Sequence, residues 1–248
     1  MKFSVHSAQK SKTLRRLIVI KFDQIIQFAS ALRRAFLSPS KPQRSYSQCA
    51  EDLIARMFLK VPPLLAPGFY VDVGCHHPRR GSNTYGFYKS GWSGILIDME
   101  EDKVLVAKMA RKRDVVVRAA ISDRSETLNI YSPGKFSTNA TIDLEAVAHN
   151  PEYRRTSRIT TETLTEVLER HSCPSRFEFL NVDCEGNDFR VIKGLDLVRY
   201  TPRVICIEIW ESKDGLDGLI NSDIHKYLCS HGYGLKSWSV YSAIYVTS

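Results

Sequence analysis

The sequence lacks several patterns that would assign it to a common class of protein. Its six cysteines stand no closer than eleven positions apart, so it contains no C-x-x-C pair and no zinc-binding spacing. Reduced thiols in a cytoplasmic protein are therefore the expected state. The sequence also has no apolar run of about 18 residues, which argues against an ordinary transmembrane helix, and it shows no internal repeat.

The glycine-rich pattern that cradles a pyrophosphate is missing too. After the apolar segment at 69–73 the chain offers Gly74 and then Gly81, where a dinucleotide-binding turn needs G-x-G-x-x-G. Asp72 and Gly74 still mark the end of a predicted strand, and a glycine there lets a ligand approach the backbone closely. This combination disfavours NAD and FAD and suits a cofactor without phosphates.

Positive charge is unevenly distributed along the chain. Residues 1–44 contain ten lysines and arginines against one acid, Asp23, whereas the other 204 residues contain 25 basic and 26 acidic residues. The net charge of +8 therefore belongs to the N-terminal segment, and the body is nearly neutral. Because a nucleic-acid-binding body would normally carry a basic surplus, no nucleic-acid partner is predicted.

The N-terminal segment predicts an amphipathic helix. Apolar residues recur at steps of four and three from Leu14 to Phe36, which places them on one face of a helix of about six turns. Over 14–37 this helix can contact an anionic membrane or another protein; alternatively, it packs on the body or is weakly ordered. The Ser-Pro-Ser-Lys-Pro segment at 38–42 is typical of a linker. We therefore divide the chain into a basic arm with its linker at 1–44 and a domain at 45–248.

The body predicts alternating strands and helices. Strands are expected at 69–73, 95–97, 115–119, 177–182 and 204–209, with a small extra strand at 128–131 and a closing pair at 234–238 and 243–246. Helices are expected at 48–59, 101–113 and 219–230, and from Thr160 or Thr161 to Arg170, while 132–158 resembles a long polar insertion. This order is typical of an α/β domain with a mostly parallel sheet and helices on both faces.

Carboxylates follow four of the predicted strands. Ligands of such sheets bind beyond the carboxyl ends of the strands, so these side chains are the candidate site. Asp98 closes the second strand, 24 residues after Gly74, where an acid can accept hydrogen bonds from both hydroxyls of a ribose. The alternative role of Asp98 is to cap the helix that follows it.

Asp183 and Glu185 follow the fourth strand and point to the same side of the chain. Such a pair can hold a ligand with one carboxylate and accept a proton with the other, although both can also cap the next helix. His76 and His77 are further candidates, and as neighbours they point apart, so one of them is expected to line the pocket. Asp183, Glu185 and His77 are the candidate bases, and no metal site is predicted.

Six segments in this order carry a resemblance to a known family. They are SQCAED (47–52), GFYVDVGCHHP (68–78), SNTYGFYKSGWSGILID (82–98), AAISD (119–123), FLNVDCEGNDFRVIKGL (179–195) and VICIEI (204–209). Together they resemble the FkbM-type methyltransferases, a branch of the Rossmann-like enzymes that use S-adenosylmethionine. The resemblance covers about 45–248.

The resemblance implies a Rossmann-like seven-stranded sheet, mostly parallel, with an antiparallel last strand. It implies that the Gly74 turn holds the methionine part of S-adenosylmethionine, that Asp98 holds the ribose, and that Ala119 and Ala120 border the adenine. Asp72 is a further expected cofactor-binding residue. Two further groups follow from the resemblance. Asp183 and Glu185 would face the reacting atoms, with Ser82, Asn83 and Thr84 near the cofactor.

Family members mostly methylate hydroxyl groups, so O-methylation of a sugar, glycan or related small molecule is the expected activity. Two other functions stay open: an inactive binding protein that keeps the fold, and an RNA methyltransferase that uses the basic arm. In a metal-assisted variant, Asp183 and Glu208 would hold magnesium. The expected location is the cytoplasm, with the arm able to attach the protein to a membrane.

Overall fold

The computed structural model describes residues 24–33, 43–59, 67–134, 137, 140–142, 147–148 and 151–247. The chain forms two units, Met1–Arg44 and Ser45–Ser248. In the first unit, residues 24–33 form a helix (α1) with exposed side chains, and the rest of the helix predicted for the arm lies outside the described residues. None of the described helices is long and apolar enough to cross a membrane.

The second unit is built on a seven-stranded sheet, in the order β3-β2-β1-β7-β8-β10-β9. Its strands are β1 (Phe69–Val73), β2 (Ser93–Asp98), β3 (Val115–Arg118), β7 (Arg176–Val182), β8 (Thr201–Glu208), β9 (Tyr233–Ser239) and β10 (Ser242–Thr247). The first five pair in parallel, and β10 runs antiparallel to both β8 and β9. The mostly parallel sheet with an antiparallel last strand is therefore confirmed.

Helices cover both faces of this sheet, as predicted. They are α2 (Glu51–Leu59), α3 (Tyr85–Lys89), α4 (Glu101–Ala110), α5 (Leu164–Arg170), α6 (Asp188–Lys193), α7 (Leu216–Asn221) and α8 (Asp223–Ser230), with a short 3-10 helix at Trp210–Asp214. Successive residues of a strand point to opposite faces of the sheet, and each face has its own apolar core. Val71 packs in one core with α5 to α8, and Tyr70 packs in the other with α2 to α4. The two cores hold the strand ends in fixed positions.

The predicted polar insertion contains regular structure. Residues 154–162 form strand β6 (Arg154–Glu162), which pairs antiparallel with β5 (Thr127–Ser132) and parallel with β4 (Ala120–Ile121) in a second, three-stranded sheet. The expected helix start at Thr160 or Thr161 is therefore wrong. Helix α5 begins after Thr163, whose hydroxyl accepts the amide of Glu166 while the Glu166 carboxylate accepts the amide of Thr163.

Two other helices differ from the prediction. The helix predicted from 48 begins at Glu51, because Ala50 has a left-handed φ of 67°. The single helix predicted over 219–230 is divided at Ser222, whose extended backbone ends α7 and whose hydroxyl accepts the amide of His225 to begin α8. Both differences come from single backbone positions that helical periodicity does not detect.

Candidate functional site

The turn after β1 is fixed tightly between two neighbouring strands. The amides of Gly74 and Cys75 both donate to the carbonyl of Ile97, and the amide of Asp183 donates to the carbonyl of Val73. Gly74 has a φ of +80°, and a β-carbon built on it would lie 1.8 Å from the carbonyl oxygen of Asp183. Only glycine fits here, so the ends of β1 and β7 meet without a side chain between them.

A cleft opens at these strand ends. Gly74 comes from β1, Asp98 from β2, Ala119 and Ala120 from the segment after β3, and Asp183 with Glu185 from the segment after β7. The structure thus brings together the residues that the resemblance assigns to the cofactor's methionine, ribose and adenine. Apolar residues, among them Val73, Ile97 and Ile121, also line the cleft.

Asp98 is buried, with 6% of its surface exposed, and has two backbone contacts. Its Oδ1 accepts the amide of Glu100 at 2.9 Å, and its Oδ2 accepts the amide of His76 at 3.0 Å. Burial raises the pKa of Asp98, and the Lys103 ammonium opposes this effect. Since a carboxylate offers about four lone-pair positions, Asp98 can hold the helix start and still accept hydrogen bonds from a ligand in the cleft.

The segment at 140–142 closes one side of the cleft. Ala140 and Ile142 line it, and the hydroxyl of Thr141 donates to the carbonyl of Glu185 at 3.0 Å. Thr141 also exchanges backbone hydrogen bonds of 2.9 Å with Tyr131 of β5. The predicted insertion is therefore part of the site, which the sequence alone did not indicate because this segment shows no recognisable pattern.

Asp183 and Glu185 lie in a cluster of acids at the end of β7. Burial and the negative charges of Glu208 and Glu185 raise the pKa of Asp183 well above its usual range. Burial raises the pKa of Glu185 as well, and burial with the charges of Asp188 and Glu185 raises the pKa of Glu208 to about 8. Protons are therefore held more tightly here than on ordinary carboxylates, which suits groups that accept a proton.

Local backbone geometry holds Asp183 and Glu185 in place. Glu185 has a left-handed φ of 51° and is followed by Gly186 at 94°. The carboxylate of Asp188 accepts the amides of Cys184 and Gly186 at 2.8 and 3.1 Å. Asp188 thus orders the turn that presents the acids, and burial with the charge of Asp183 raises the pKa of Asp188 to about 7.

Two further cavities adjoin the cleft. Both share Asp183 and Glu185 with it, and the second also shares Gly74 and His76. We call them together the carboxylate chamber. Both are lined by Gln48, Gly81 and Asn83 as well as by the two acids. Glu51, Glu208 and the β9–β10 turn at 239–242 line the first, and Asp72, Arg80, Ser82 and Asn181 line the second. Asp183 and Glu185 thus line all three spaces, and the Gly74 turn lines both the cleft and the second cavity.

Asp72, Ser82, Asn83 and Thr84, predicted to bind the cofactor, do not line the cleft. Asp72 is 2% exposed, and its oxygens accept the Thr84 hydroxyl at 2.6 Å and the Asn181 amide at 2.9 Å. Asp72, Ser82 and Asn83 line the carboxylate chamber instead. Thr84 is fully buried and packs beneath it. These residues thus lie beside the Gly74 turn, which lines the same cavity, and their assignment to the cofactor stays a prediction.

The two histidines have different environments. His76 lines both the cleft and the chamber, has a left-handed φ of 38°, and has a buried Nδ1 without a partner. Burial and the Lys103 ammonium lower the pKa of His76 to about 4. His77 lines neither space, and its Nδ1 accepts the amides of Arg79 and Arg80 at 3.1 and 3.0 Å. Of the pair, the structure places His76, rather than the predicted His77, beside the acids.

A metal-binding arrangement is not found in the part of the chain that the structure describes. No group of three or more His, Cys, Asp or Glu side chains there has the geometry to hold an ion. All six cysteines are free, and Cys75 and Cys206 are buried among apolar residues.

Residues 72–235 match the sequence profile of the methyltransferase FkbM domain. None of the curated protein sequences matches the chain. Solved structures with a similar fold include a TehB-like SAM-dependent methyltransferase from Corynebacterium glutamicum (12% identity, 90% of this chain and 97% of that chain, TM-score 0.40). An O-methyltransferase from Bacillus cereus in complex with SAH is also similar (10% identity, 91% of this chain and 90% of that chain, TM-score 0.44). So is WbdD (13% identity, 82% of this chain and 42% of that chain, TM-score 0.44). The chain spans less than half of WbdD.

Proposed function

This chain belongs to the FkbM methyltransferase family, and we propose that it transfers the methyl group of S-adenosylmethionine to a hydroxyl oxygen of a sugar, glycan or related small molecule. One observation carries the proposal: Asp183 and Glu185 stand where the cleft meets the carboxylate chamber. A methyl donor in the cleft and an acceptor in the chamber would both reach these two acids.

The residues of the cleft fit S-adenosylmethionine. Gly74 lines the cleft, and its missing side chain lets the ends of β1 and β7 meet there, so this turn can hold the methionine part of the cofactor. Asp98 keeps lone pairs for the ribose hydroxyls, and Ala119, Ala120 and Ile142 offer an apolar wall to the adenine. No phosphate needs to be bound, which agrees with the missing glycine-rich pattern.

When bound, S-adenosylmethionine would supply a methyl group on a positively charged sulfonium sulfur. This sulfur becomes a neutral thioether when its bond to the methyl carbon breaks. The protein has to align the acceptor oxygen with the methyl group and to accept its proton. We propose that the carboxylate of Asp183 accepts the hydroxyl proton of the acceptor and that Glu185 lies beside it. The bond from carbon to oxygen forms while the acceptor loses its hydrogen to Asp183, so charge and atoms balance.

The electrostatics of the site support Asp183 in this role. An ordinary carboxylate is too weak a base for an alcohol, and a pKa well above the usual range makes Asp183 a better one. A positive charge in the cleft would favour the ionised form of Asp183 and so prepare it to receive the proton.

Calorimetric titration with S-adenosylmethionine tests the cofactor. We expect saturable binding to the wild-type chain, and no detectable heat at millimolar cofactor would overturn the proposal. Transfer is tested with radiolabelled cofactor and a polar and glycan extract of the source organism. If the cofactor binds tightly and no molecule is labelled, the protein is a binding protein that keeps the fold without the activity.

A further inference from the structure

Asn83 has an unused hydrogen-bond acceptor in the wall of the carboxylate chamber. Asn83 is 8% exposed, its Nδ2 donates to Asn181 Oδ1 at 2.8 Å, and its buried Oδ1 has no partner. Glu208, which lines the same chamber, also has a buried oxygen without a partner. A buried acceptor left unpaired costs free energy, so such atoms in a cavity wall point to a bound donor group.

A chain of hydrogen bonds fixes which atom of Asn83 is unpaired. Arg111 donates to Thr84 Oγ1 at 3.0 Å, and because a guanidinium only donates, the Thr84 hydroxyl gives its own hydrogen to Asp72 at 2.6 Å. The other oxygen of Asp72 accepts Asn181 Nδ2 at 2.9 Å, so Asn181 turns its Oδ1 to Asn83. Asn83 must then donate through Nδ2, which leaves Oδ1 for a ligand.

The chamber is also strongly acidic. Its described lining residues include five carboxylates, Glu51, Asp72, Asp183, Glu185 and Glu208. The only guanidinium among them belongs to Arg80, an exposed residue, and the low pKa of His76 keeps that imidazole neutral near pH 7. Burial and neighbouring carboxylates already raise the pKa values of Asp183 and Glu208, so this space disfavours negative charge. A carboxylate, phosphate or sulfate on a ligand would meet the same penalty, whereas a neutral or positively charged ligand would not.

We propose that the carboxylate chamber binds a methyl acceptor that is rich in hydrogen-bond donors and carries no negative charge, and that Asn83 Oδ1 receives one of these donors. Neutral polyols and amino-bearing polyols have this chemistry. Asn83 is then a specificity residue for the acceptor, and it does not itself line the cleft. The inference rests on the proposed methyl transfer.

The first test fractionates the acceptor by charge. The polar and glycan extract is divided on an anion exchanger at pH 7 into retained and unretained pools, and each pool is incubated with the wild-type chain and radiolabelled S-adenosylmethionine. We expect the label in the unretained pool. Label confined to the retained pool overturns the inference and leaves methyl transfer intact. Cofactor binding without label in either pool overturns the proposed transfer, and the inference with it.

The second test compares Asn83→Ala with Asn129→Ala. Asn129 is a matched control because its Oδ1 is also buried without a partner but it lines neither the cleft nor the chamber. Loss of one buried hydrogen bond should raise the KM for the labelled pool by about tenfold in Asn83→Ala. The dissociation constant for S-adenosylhomocysteine should stay unchanged in both variants.

Two results of this comparison contradict the inference. If Asn83→Ala raises the dissociation constant for S-adenosylhomocysteine by the same factor as it raises the KM for the acceptor, Asn83 belongs to the cofactor site. If its KM equals that of the wild type, Asn83 does not contact the acceptor. Should Asn83→Ala fail to fold, as thermal unfolding would show, the charge fractionation of the wild type still decides the nature of the acceptor.

Discussion

The carbonyl of Asp183 occupies the space that a side chain at Gly74 would need. The ends of two adjacent strands therefore touch through backbone atoms alone, and the positive φ of Gly74 makes this contact possible. One of these strand ends borders the cofactor cleft and the other carries the proposed base. The position of Gly74 is thus coupled directly to the position of Asp183, the proposed base.

Gly74→Ala should disrupt this contact. A β-carbon 1.8 Å from the Asp183 carbonyl forces the strand ends apart, and we expect a stability loss of about 2 kcal/mol or more together with loss of S-adenosylhomocysteine binding. Gly91→Ala is the control, since Gly91 also has a positive φ, of 95°, but no atom lies near its missing β-carbon. It should lose about 1–2 kcal/mol and still bind. Equal binding by both variants would contradict the proposed coupling.

Asp98→Asn tests the ribose contact. Replacing the charged acceptor removes hydrogen bonds worth about 1.5–3 kcal/mol, so the dissociation constant for S-adenosylhomocysteine should rise by roughly tenfold to a hundredfold. Asp102→Asn changes an exposed acid of α4 in the same way and should leave binding unaltered. Calorimetry measures both. A normal dissociation constant for Asp98→Asn would limit this residue to holding the helix start.

Asp183→Asn separates catalysis from binding. The amide keeps the size of the side chain but cannot take the proton, so kcat should fall by about two orders of magnitude or more. Binding of S-adenosylhomocysteine should persist, because the Gly74 contact uses the backbone of Asp183. If Glu185→Gln shows the larger loss of kcat and Asp183→Asn the smaller, the two acids have the opposite roles.

Stability of the ligand-free protein should fall as pH rises. The folded-state pKa values of Asp188 and Glu208, about 7 and about 8, exceed the ordinary values of 3.8 and 4.5. Folding therefore favours the protonated acids. That contribution is complete below the ordinary values and is lost as pH rises through about 7 to 8. Tm should decrease between pH 5 and pH 9, and Glu208→Gln should make the decrease smaller; an equal slope in both proteins would contradict the assignment.

His77→Ala should retain activity. The His77 ring accepts two backbone amides of the following turn, so its loss should cost about 1 kcal/mol of stability without changing kcat. A large fall in kcat would restore His77 to the list of bases. His76→Ala should alter binding or turnover, because His76 lines both spaces. Steady-state rates and thermal unfolding distinguish the two variants.

Much of the fold could be predicted because buried parallel strands are continuous apolar runs. The segments 69–73 and 204–209 are apolar except for one acid each, Asp72 and Glu208, and the topology of parallel sheets places their ends along one edge. The sequence therefore predicted that Asp98, Asp183 and Glu185 lie at one edge of the sheet, where the cleft is. Strand β6 was not found, because its exposed polar face gives no apolar period and its pairing partner lies in a distant segment.

The division of the site into cleft and chamber could not be predicted. It depends on contacts between residues far apart in sequence, such as the hydrogen bond from Asn83 to Asn181, 98 positions away. Which of His76 and His77 lies beside the acids depends on the left-handed φ of His76. Neither feature leaves a periodic signal in the chain.

Strand β10 follows β9 in the chain yet lies between β8 and β9 in the sheet. The hairpin must consequently dock as a unit, since β9 reaches the sheet only through β10. Its turn, at Val240 and Tyr241, forms part of the chamber wall, whereas the cleft is built from earlier strands. A chain with this hairpin undocked would therefore keep every strand that lines the cleft but would lose the part of the chamber wall that residues 239–242 form.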